Sequence, residues 1–140
     1  MRLVVHKTTS HKELWSLVGD YPGYFKDVDL VKWLDDTKNI AIVEGDNVAL
    51  FDYKSPGVYW GHYFYNSARG REAIKLSEQI LKHVLHKYPI KTLLGLTPED
   101  NKPARWLSRQ IGMNSLGLIE TLNGQCELFF LDKDTYLWAS

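Results

Sequence analysis

The chain has 140 residues, of which 44% are hydrophobic, a length and composition that fit one domain spanning residues 1–140. Its 17 Lys and Arg residues balance its 17 Asp and Glu residues, so no overall field attracts a nucleic-acid backbone, and we expect no nucleic-acid partner. The single cysteine, Cys126, excludes an intramolecular disulfide and a cysteine metal cluster. No stretch has the length of a signal peptide or a membrane span, so we expect a cytoplasmic protein without membrane contact.

The first half of the chain predicts a short strand, two helices and three further strands. Ser10 is a good helix N-cap, and Glu13 three residues later can complete a capping box; the helix would end at Gly19. The other predicted elements are a first strand at residues 3–5, a second helix at 28–34, and strands at 40–43, 48–51 and 58–65 that are joined by turns.

The second half alternates helices and strands. Apolar residues recur at three- and four-residue spacing between residues 72 and 88, which predicts an amphipathic helix that Pro89 ends. A strand at 91–96 precedes a helix that begins at Pro103 and is capped by Gly112. Two last strands, at 115–121 and 125–131, flank an Asn123-Gly124 hairpin turn. The predicted order is therefore β-α-α-β-β-β-α-β-α-β-β.

Two segments carry a resemblance to a known family. Residues 62–73 resemble the coenzyme A motif of the GNAT superfamily of N-acetyltransferases, in which a strand feeds a glycine-containing loop and a helix. Asn101, Ala104 and the Gly112-Met113 pair resemble its second signature. The element order also matches, and the resemblance covers nearly the whole chain. It implies an α/β GNAT fold, with a mixed, mostly antiparallel sheet of about seven strands, about four flanking helices, and splayed strands 4 and 5. It is closest to phage-encoded GNAT-like proteins, which share the closing pattern around residues 123–129.

The loop before the long helix suits a diphosphate on physical grounds as well. A helix N-terminus carries free N–H groups and partial positive charge, which residues 68–73, from Ala68 to Ala73, would present to phosphate oxygens. Gly70 would allow close approach of the backbone, and Arg69 and Arg71 would add charge-assisted contacts. Ser67 and Glu72 stand where the family motif has Gln or Arg and a second Gly or Ala. Glu72 can also be read as a favourable first-turn acid that faces solvent.

The resemblance implies acetyl-coenzyme A as a co-substrate and no metal. The backbone of Phe64 and Tyr65 would pair with the pantetheine arm, and the Phe64 N–H would polarise the thioester carbonyl. Glu72 and Ala73 would complete the phosphate end of the site. Asn101 would hydrogen-bond the pantetheine or its neighbouring strand; alternatively it caps the following helix.

Acetyl transfer to an amine also needs a base for the amine and a proton for the leaving thiolate. His62 is the best candidate base because an imidazole titrates in the useful range, and Glu44 is the second candidate. Each also has a structural interpretation, as a buried strand histidine and a turn residue. The family's thiolate acid, a helix Tyr, is replaced by Ser108, so Tyr63 or Tyr136 would have to supply a phenol.

Two functions follow. The first is an N-acetyltransferase whose acceptor is an amine-bearing small molecule, peptide or protein. The second is an inactive GNAT-fold phage protein that serves in binding or in virion or head assembly, in the host cytoplasm or in the particle. The strands of the 123–124 hairpin could support a homodimer. Five aromatic residues near the first two helices could form core, an acceptor wall or a partner surface: Trp15, Tyr21, Tyr24, Phe25 and Trp33.

Overall fold

The computed structural model describes residues 5–18, 29–122 and 124–139. Across these ranges the chain forms seven strands and five helices. In chain order they are β1 (His6–Lys7), α1 (His11–Val18), α2 (Leu30–Asp35), β2 (Ile40–Glu44), β3 (Asn47–Ser55), β4 (Val58–Tyr65), α3 (Arg71–Lys87), β5 (Thr92–Pro98), α4 (Lys102–Gln110), β6 (Asn114–Thr121), β7 (Gly124–Asp132) and α5 (Lys133–Ala139).

The seven strands form one mixed sheet in the order β1-β2-β3-β4-β5-β7-β6. Every neighbouring pair is antiparallel except β4 and β5, which are parallel. These two strands pair only from Val58 to Trp60 against Thr92 to Leu94, and beyond those residues they diverge. The predicted fold class and the splay of strands 4 and 5 are therefore confirmed.

Strands β4 and β5 begin to diverge at a glycine of β4. A Cβ added at Gly61, the first residue of β4 beyond the paired segment, would come within 3.1 Å of Leu93 Cδ1. A larger residue at this position would push against the neighbouring strand. The sheet is thus tightly packed at the point where the two strands begin to part.

Helices cover both faces of the sheet. On one face the buried side of α3 packs with Leu107 and Ile111 of the α4 region against the sheet, around Phe51 and Phe129, which are fully buried. On the other face α1 and α2 bury Leu14, Val18, Leu30 and Leu34 against β2, β3 and Phe64 of β4. Because side chains alternate along a strand, consecutive β4 residues contribute to opposite faces.

The helix starts agree only in part with the sequence signals. Ser10 Oγ accepts from the Glu13 N–H at 3.1 Å, as a capping residue should. The Ser10 N–H, however, donates to Thr8 Oγ1 at 3.1 Å, so the reciprocal bond of a capping box is taken by another residue. Helix α2 begins after Asp29, whose carboxylate accepts from the Val31 and Lys32 N–H groups.

The described residues differ from the prediction at three elements. A strand lies at His6–Lys7, beyond the predicted residues 3–5, and pairs with Val43 and Ile42, whereas Val5 is not in a strand. Helix α2 begins at Leu30, since Asp29 provides the cap. The final helix α5 was missed, as its seven residues carry no flanking stop signal. The predicted helix end at Gly19, part of the first strand, and Asn123 of the hairpin lie outside the described residues.

Candidate active site

A cleft of about 420 Å³ opens where β4 and β5 diverge. Its walls are the open segments of these strands, the start of α3 and one side of α4. Most of the predicted ligand-binding and catalytic residues line it, whereas Arg71, Glu72, Glu44 and Tyr136 do not; those that do are His62, Phe64, Tyr65, Ala68, Arg69, Gly70, Ala73 and Asn101. The structure therefore brings together residues that are up to 39 positions apart in the sequence, from His62 to Asn101.

The loop between β4 and α3 is held in place by the turn between β2 and β3. Asn47 is 3% exposed, and its Oδ1 accepts from the N–H groups of Ser67 and Ala68, both at 3.1 Å. Its Nδ2 donates to Glu44 Oε2 at 3.2 Å, and Ser67 Oγ donates to Asp46 Oδ1 at 2.5 Å. Of the N–H groups expected to face a phosphate, that of Ala68 is thus already bonded to protein.

The Arg69 side chain turns back onto its own loop. Its guanidinium donates to the carbonyl oxygens of Tyr65 and Ala68, each at 2.9 Å. Arginine in this conformation stiffens the loop and places its positive charge near the start of α3. Arg71 and Glu72 are exposed on the first turn of the helix and lie outside the cleft lining.

The start of α3 is open toward the cleft. Gly70 occupies the N-cap position with φ of 55° and makes no side-chain cap, in a backbone region that favours glycine. A Cβ built there would meet no atom within 4 Å. The Gly70 and Arg71 N–H groups have no acceptor within the helix, as at any helix start. This uncapped end, with space in front of it, fits the diphosphate of coenzyme A.

Asn101 lines the cleft but acts as a helix cap. Its Oδ1 accepts from the Ala104 N–H at 3.2 Å at the start of α4. The capping interpretation of this residue is what the structure shows, and only its Nδ2 is left to serve a ligand. Pro103 in the first turn reinforces the same helix start.

Helix α4 is fixed to the sheet by a buried carboxylate. Glu127 of β7 is 2% exposed and accepts from Arg105 Nε at 2.8 Å, from Ser115 Oγ at 2.5 Å and from the Arg109 guanidinium. Burial alone would raise the pKa of Glu127, but these hydrogen bonds and the Arg109 charge lower it below its ordinary value. The carboxylate therefore stays ionised and ties α4, one wall of the cleft, to β6 and β7.

His62 lies on β4 where that strand borders the cleft. Burial lowers the pKa of this imidazole from 6.5 to about 4; Asp52 opposes the shift and Lys54 adds to it. At neutral pH the ring is uncharged and can accept a proton at once. Its conjugate acid is nevertheless much stronger than an alkylammonium, so His62 is a weaker base than the sequence suggests.

The other candidate catalytic residues lie in different places, and only some of them line the cleft. Glu44 does not line the cleft; it accepts from Asn47 and so supports the loop. Ser108 lines the cleft and is 5% exposed. Tyr136 lies in a second cleft of about 530 Å³ beside α3 and α5, whereas Tyr63 lines the first one.

The two described aromatic residues near α1 and α2, Trp15 and Trp33, differ in exposure. Trp15 is 59% exposed, so the core interpretation is wrong for it. Trp33 is half-buried and donates from Nε1 to Asp52 Oδ1 at 3.2 Å. Tyr21, Tyr24 and Phe25 lie outside the described residues.

Within residues 5–18, 29–122 and 124–139, no three His, Cys, Asp or Glu side chains are grouped as a metal ion would need. In the same ranges, no helix is both long enough and apolar enough to cross a lipid bilayer.

No protein-family model matches the sequence, and no curated protein matches it either. Solved structures do match the fold. A GNAT-family acetyltransferase from Bacillus anthracis is 16% identical, with 96% of each chain covered and a TM-score of 0.67. Spermidine N-acetyltransferase from Vibrio cholerae, in complex with CoA and spermine, is 11% identical over 97% of this chain and 98% of that one, with a TM-score of 0.72.

A microcin self-immunity acetyltransferase in complex with acetyl-CoA and AMP gives 14% identity, 93% and 91% coverage, and a TM-score of 0.62. The chain therefore has the fold of the GNAT acetyltransferases over nearly its whole length. At identities this low, the structural similarity establishes the fold only, and the activity has to be inferred from the site.

Sequence reasoning missed several residues that shape the cleft. Asn47 and Asp46 were assigned only to a turn, and Asn66, which donates to the Asp46 and Leu17 carbonyls, was read only as part of the motif. A buried Asn opposite a functional loop has no local sequence signature, because its partners lie some 20 residues away. Trp106 also lines the cleft, although the helix pattern gave no reason to single it out.

Proposed function

We propose that this protein transfers an acetyl group from acetyl-coenzyme A to a primary amine. One observation carries the proposal: the uncapped start of α3, with Gly70 at φ of 55°, opens into the cleft between two diverging strands. Phosphate oxygens can accept hydrogen bonds from the uncapped start of α3, and an extended pantetheine arm can lie in the cleft between the strands. Solved structures with this fold include a CoA complex and an acetyl-CoA complex, which supports the choice of ligand.

Acetyl-coenzyme A, when bound, supplies the activated acetyl thioester. In the balanced reaction a carbon–nitrogen bond forms, the carbon–sulfur bond breaks, the amine loses one proton and the sulfur gains one. In this chain the start of α3 would hold the diphosphate, while Phe64 and Tyr65 line the path of the pantetheine arm. His62, neutral at pH 7, would receive the amine proton for release to water.

The acceptor is an amine-bearing small molecule, peptide or protein. His62, Trp60 and Asp52 share the face of the sheet that α1 and α2 cover, because Asp52 pairs with Trp60 and Leu50 with His62. Half-buried aromatic and carboxylate groups are suited to an amine that arrives as a cation. A cytoplasmic location is part of the same proposal.

Thermal unfolding with added acetyl-coenzyme A tests the proposal. At 100 times its dissociation constant, a ligand of the folded state stabilises by about 2.7 kcal/mol, which raises the melting temperature by several degrees. Gly70→Asp should abolish this rise, because the new carboxylate would stand in front of the phosphate site. No rise for the wild type at millimolar ligand would contradict the proposal.

Gly117→Asp is the matched control. Gly117 also has a positive φ, 91°, and open space around a Cβ, but it lies on β6 and does not line the cleft. Both variants therefore introduce backbone strain and a carboxylate, and only Gly70→Asp should lose the ligand-induced rise. Equal losses would show that strain, and not the site, is responsible.

A second candidate, a GNAT-fold protein without catalysis, has some structural support. Asn47 takes up two loop N–H groups, Arg69 turns back onto its loop, and Ser108 cannot act as a phenol. A role in a phage particle or its assembly rests on the sequence resemblance alone. Binding of acetyl-coenzyme A without turnover of any amine in a panel of polyamines, peptides and lysine side chains would favour this candidate.

The homodimer expected at the β6–β7 hairpin belongs to the proposal as well. Strand β6 is an edge of the sheet, and it exposes Leu116 and Leu118 by 60% and 46%; Leu122 in the adjoining turn is fully exposed. Edge strands with exposed apolar side chains commonly pair with another chain.

A further inference from the structure

The sheet has an apolar surface beside the cleft, on the side opposite α3. Gly95 of β5 faces the α3 side, because a Cβ built there would lie 3.6 Å from Met113 Cε and 3.8 Å from Phe129 Cβ. Side chains alternate along a strand, so the neighbours of Gly95 on β5 and their partners on β7 point to the opposite side. With one residue of β6, they form what we term the apolar face: Leu94, Leu96, Ile119, Leu128 and Phe130.

Among the described residues, α1 and α2 bury only the other half of the sheet on this side. The strand residues of their buried cluster belong to β2, β3 and β4. On the apolar face, Leu96 and Ile119 are 37% and 38% exposed, and the other three residues are half-buried. Contiguous exposed apolar surface of this kind is typical of a ligand-binding groove or a docking surface.

The apolar face is continuous with the cleft. Leu94 and Leu96 line the cleft together with His62. Leu94 also pairs with Trp60, which points to the same side of the sheet as His62. Gly95 lines the same cleft from the α3 side, so the cleft connects the two sides of the sheet. A molecule that approaches His62 from the side opposite α3 would therefore lie along the apolar face.

The strands offer a second cation few partners on this side of the sheet. Of the described strand carboxylates, two point there, and both have protein partners: Asp52 lies 3.1 Å from Lys54 Nζ, and Asp132 accepts from Thr92 Oγ1 at 3.0 Å. Asp52 pairs with Trp60, close to the position of the reacting amine, and Asp132 lies where β4 and β5 are still paired. The apolar face itself carries no charged side chain.

We propose that the acceptor carries its primary amine on an apolar body, an alkyl or arylalkyl group that lies on the apolar face. This inference rests on the proposed function. The amine would lie at His62, beside Trp60 and Asp52, and its hydrocarbon would cover Leu94 and Leu96. A second ammonium group at the far end of the acceptor would be placed against hydrocarbon without a partner, which is unfavourable. A linear polyamine is therefore a poor acceptor.

Monoamines and diamines of equal length test the inference. With acetyl-coenzyme A as donor, kcat/KM should rise about two- to fourfold per added methylene from butylamine to hexylamine, because each methylene covers more of the apolar face. 1,6-Diaminohexane has the same length as hexylamine and an amine at each end, yet its kcat/KM should be about tenfold lower. Equal values for the two amines, or a preference for the diamine, would overturn the inference.

Leu96→Asp tests where the hydrocarbon lies. The new carboxylate gives a second ammonium group a partner, so this variant should prefer 1,6-diaminohexane to hexylamine. Leu118→Asp is the matched control, because Leu118 is 46% exposed but pairs with Glu127 and so points to the α3 side; its preference should equal that of the wild type. Comparing two amines within one variant cancels any loss of folded protein. An unchanged preference in Leu96→Asp would overturn the placement on the apolar face.

Failure of the proposed function would give a different result. A wild type whose melting temperature does not rise with acetyl-coenzyme A would overturn the proposed function, and this inference with it. A wild type that binds acetyl-coenzyme A and acetylates 1,6-diaminohexane but not hexylamine would overturn this inference alone.

Discussion

At the scale of single residues, burial decides what the candidate groups can do. The same burial that shields His62 from solvent lowers its pKa to about 4 and makes it a weaker base. It also keeps the imidazole neutral at every physiological pH, so the ring would be ready to accept a proton without first losing one. The chemistry available to a residue type is thus set by its surroundings in the fold.

The low pKa of His62 makes a prediction about stability. The unfolded chain binds a proton at this site below about pH 6.5, whereas the folded chain does so only below about pH 4. The folded state is therefore disfavoured increasingly as the pH falls from 6.5 to 4, and this penalty is absent above that window. His62→Gln should lose less stability than the wild type between pH 7 and pH 4.5, measured by urea unfolding. Parallel losses in the two proteins would show that His62 is not buried as described.

The residue type alone could not decide the role of Asn101. The sequence allowed a ligand contact or a helix cap, and the structure shows the cap, with Oδ1 3.2 Å from the Ala104 nitrogen. Both interpretations require an Asn before a helix, so no local pattern separates them. What decides is the direction of the side chain, which depends on how α4 is packed.

At the scale of elements, the loop before α3 depends on a turn that lies about 20 residues earlier. Asn47 replaces water as the partner of the Ser67 and Ala68 N–H groups and is itself held by Glu44. The result is a loop whose shape is fixed before any ligand arrives. Preorganisation of this kind raises affinity because little motion is lost on binding.

Asn47→Ala should therefore affect both stability and binding. The N–H groups of Ser67 and of buried Ala68 would lose their acceptor, at a cost of about 1–3 kcal/mol in unfolding free energy. Affinity for acetyl-coenzyme A, measured by calorimetry, should fall about tenfold because the loop becomes mobile.

Asn39→Ala provides the comparison for this variant. Asn39 is also buried, at 7% exposure, and bonds the Trp33 carbonyl and the Tyr53 N–H, both at 2.9 Å, but it does not line the cleft. This variant should lose a similar amount of stability and keep its affinity. Equal affinities for the two variants would contradict the role assigned to the Asn47 contacts.

At the scale of the whole molecule, the order of elements was the most predictable property. The 3.6-residue pattern predicted α3 closely, because this helix has one apolar face, and the hairpin turn signal at residues 123–124 predicted the β6–β7 pair. Elements defined by long-range pairing or by few residues were less predictable. Strand β1 has two residues, and its position is set by β2.

The cleft could be predicted only as a region. The sequence identified β4, the loop and the start of α3 through the resemblance and the physics of helix ends. It could not show that Arg69 turns back onto its loop or that the Tyr63 hydroxyl is buried without a hydrogen-bond partner among the described residues, because both facts depend on contacts among elements that are distant in the chain.

The edge position of β6 leads to a prediction about assembly. We expect a dimer, with a sedimentation mass about twice the chain mass of 16.2 kDa, formed through the exposed leucines of β6. Leu118→Lys should shift the protein to monomer, since it places a charge on the paired edge. Val31→Lys, a change of similar kind at a residue of α2 that is 48% exposed, should leave the dimer intact. A monomeric wild type would contradict this prediction.

The short ladder between β4 and β5 has a mechanical consequence. Three residue pairs join the antiparallel strands β1–β4 to the antiparallel strands β5–β7 in the sheet, so few backbone hydrogen bonds connect its two halves. We expect small rotations of one half relative to the other to change the width of the cleft. A ligand that contacts both β4 and β5 would add contacts between the two halves of the sheet, and its binding would therefore stabilise the whole sheet.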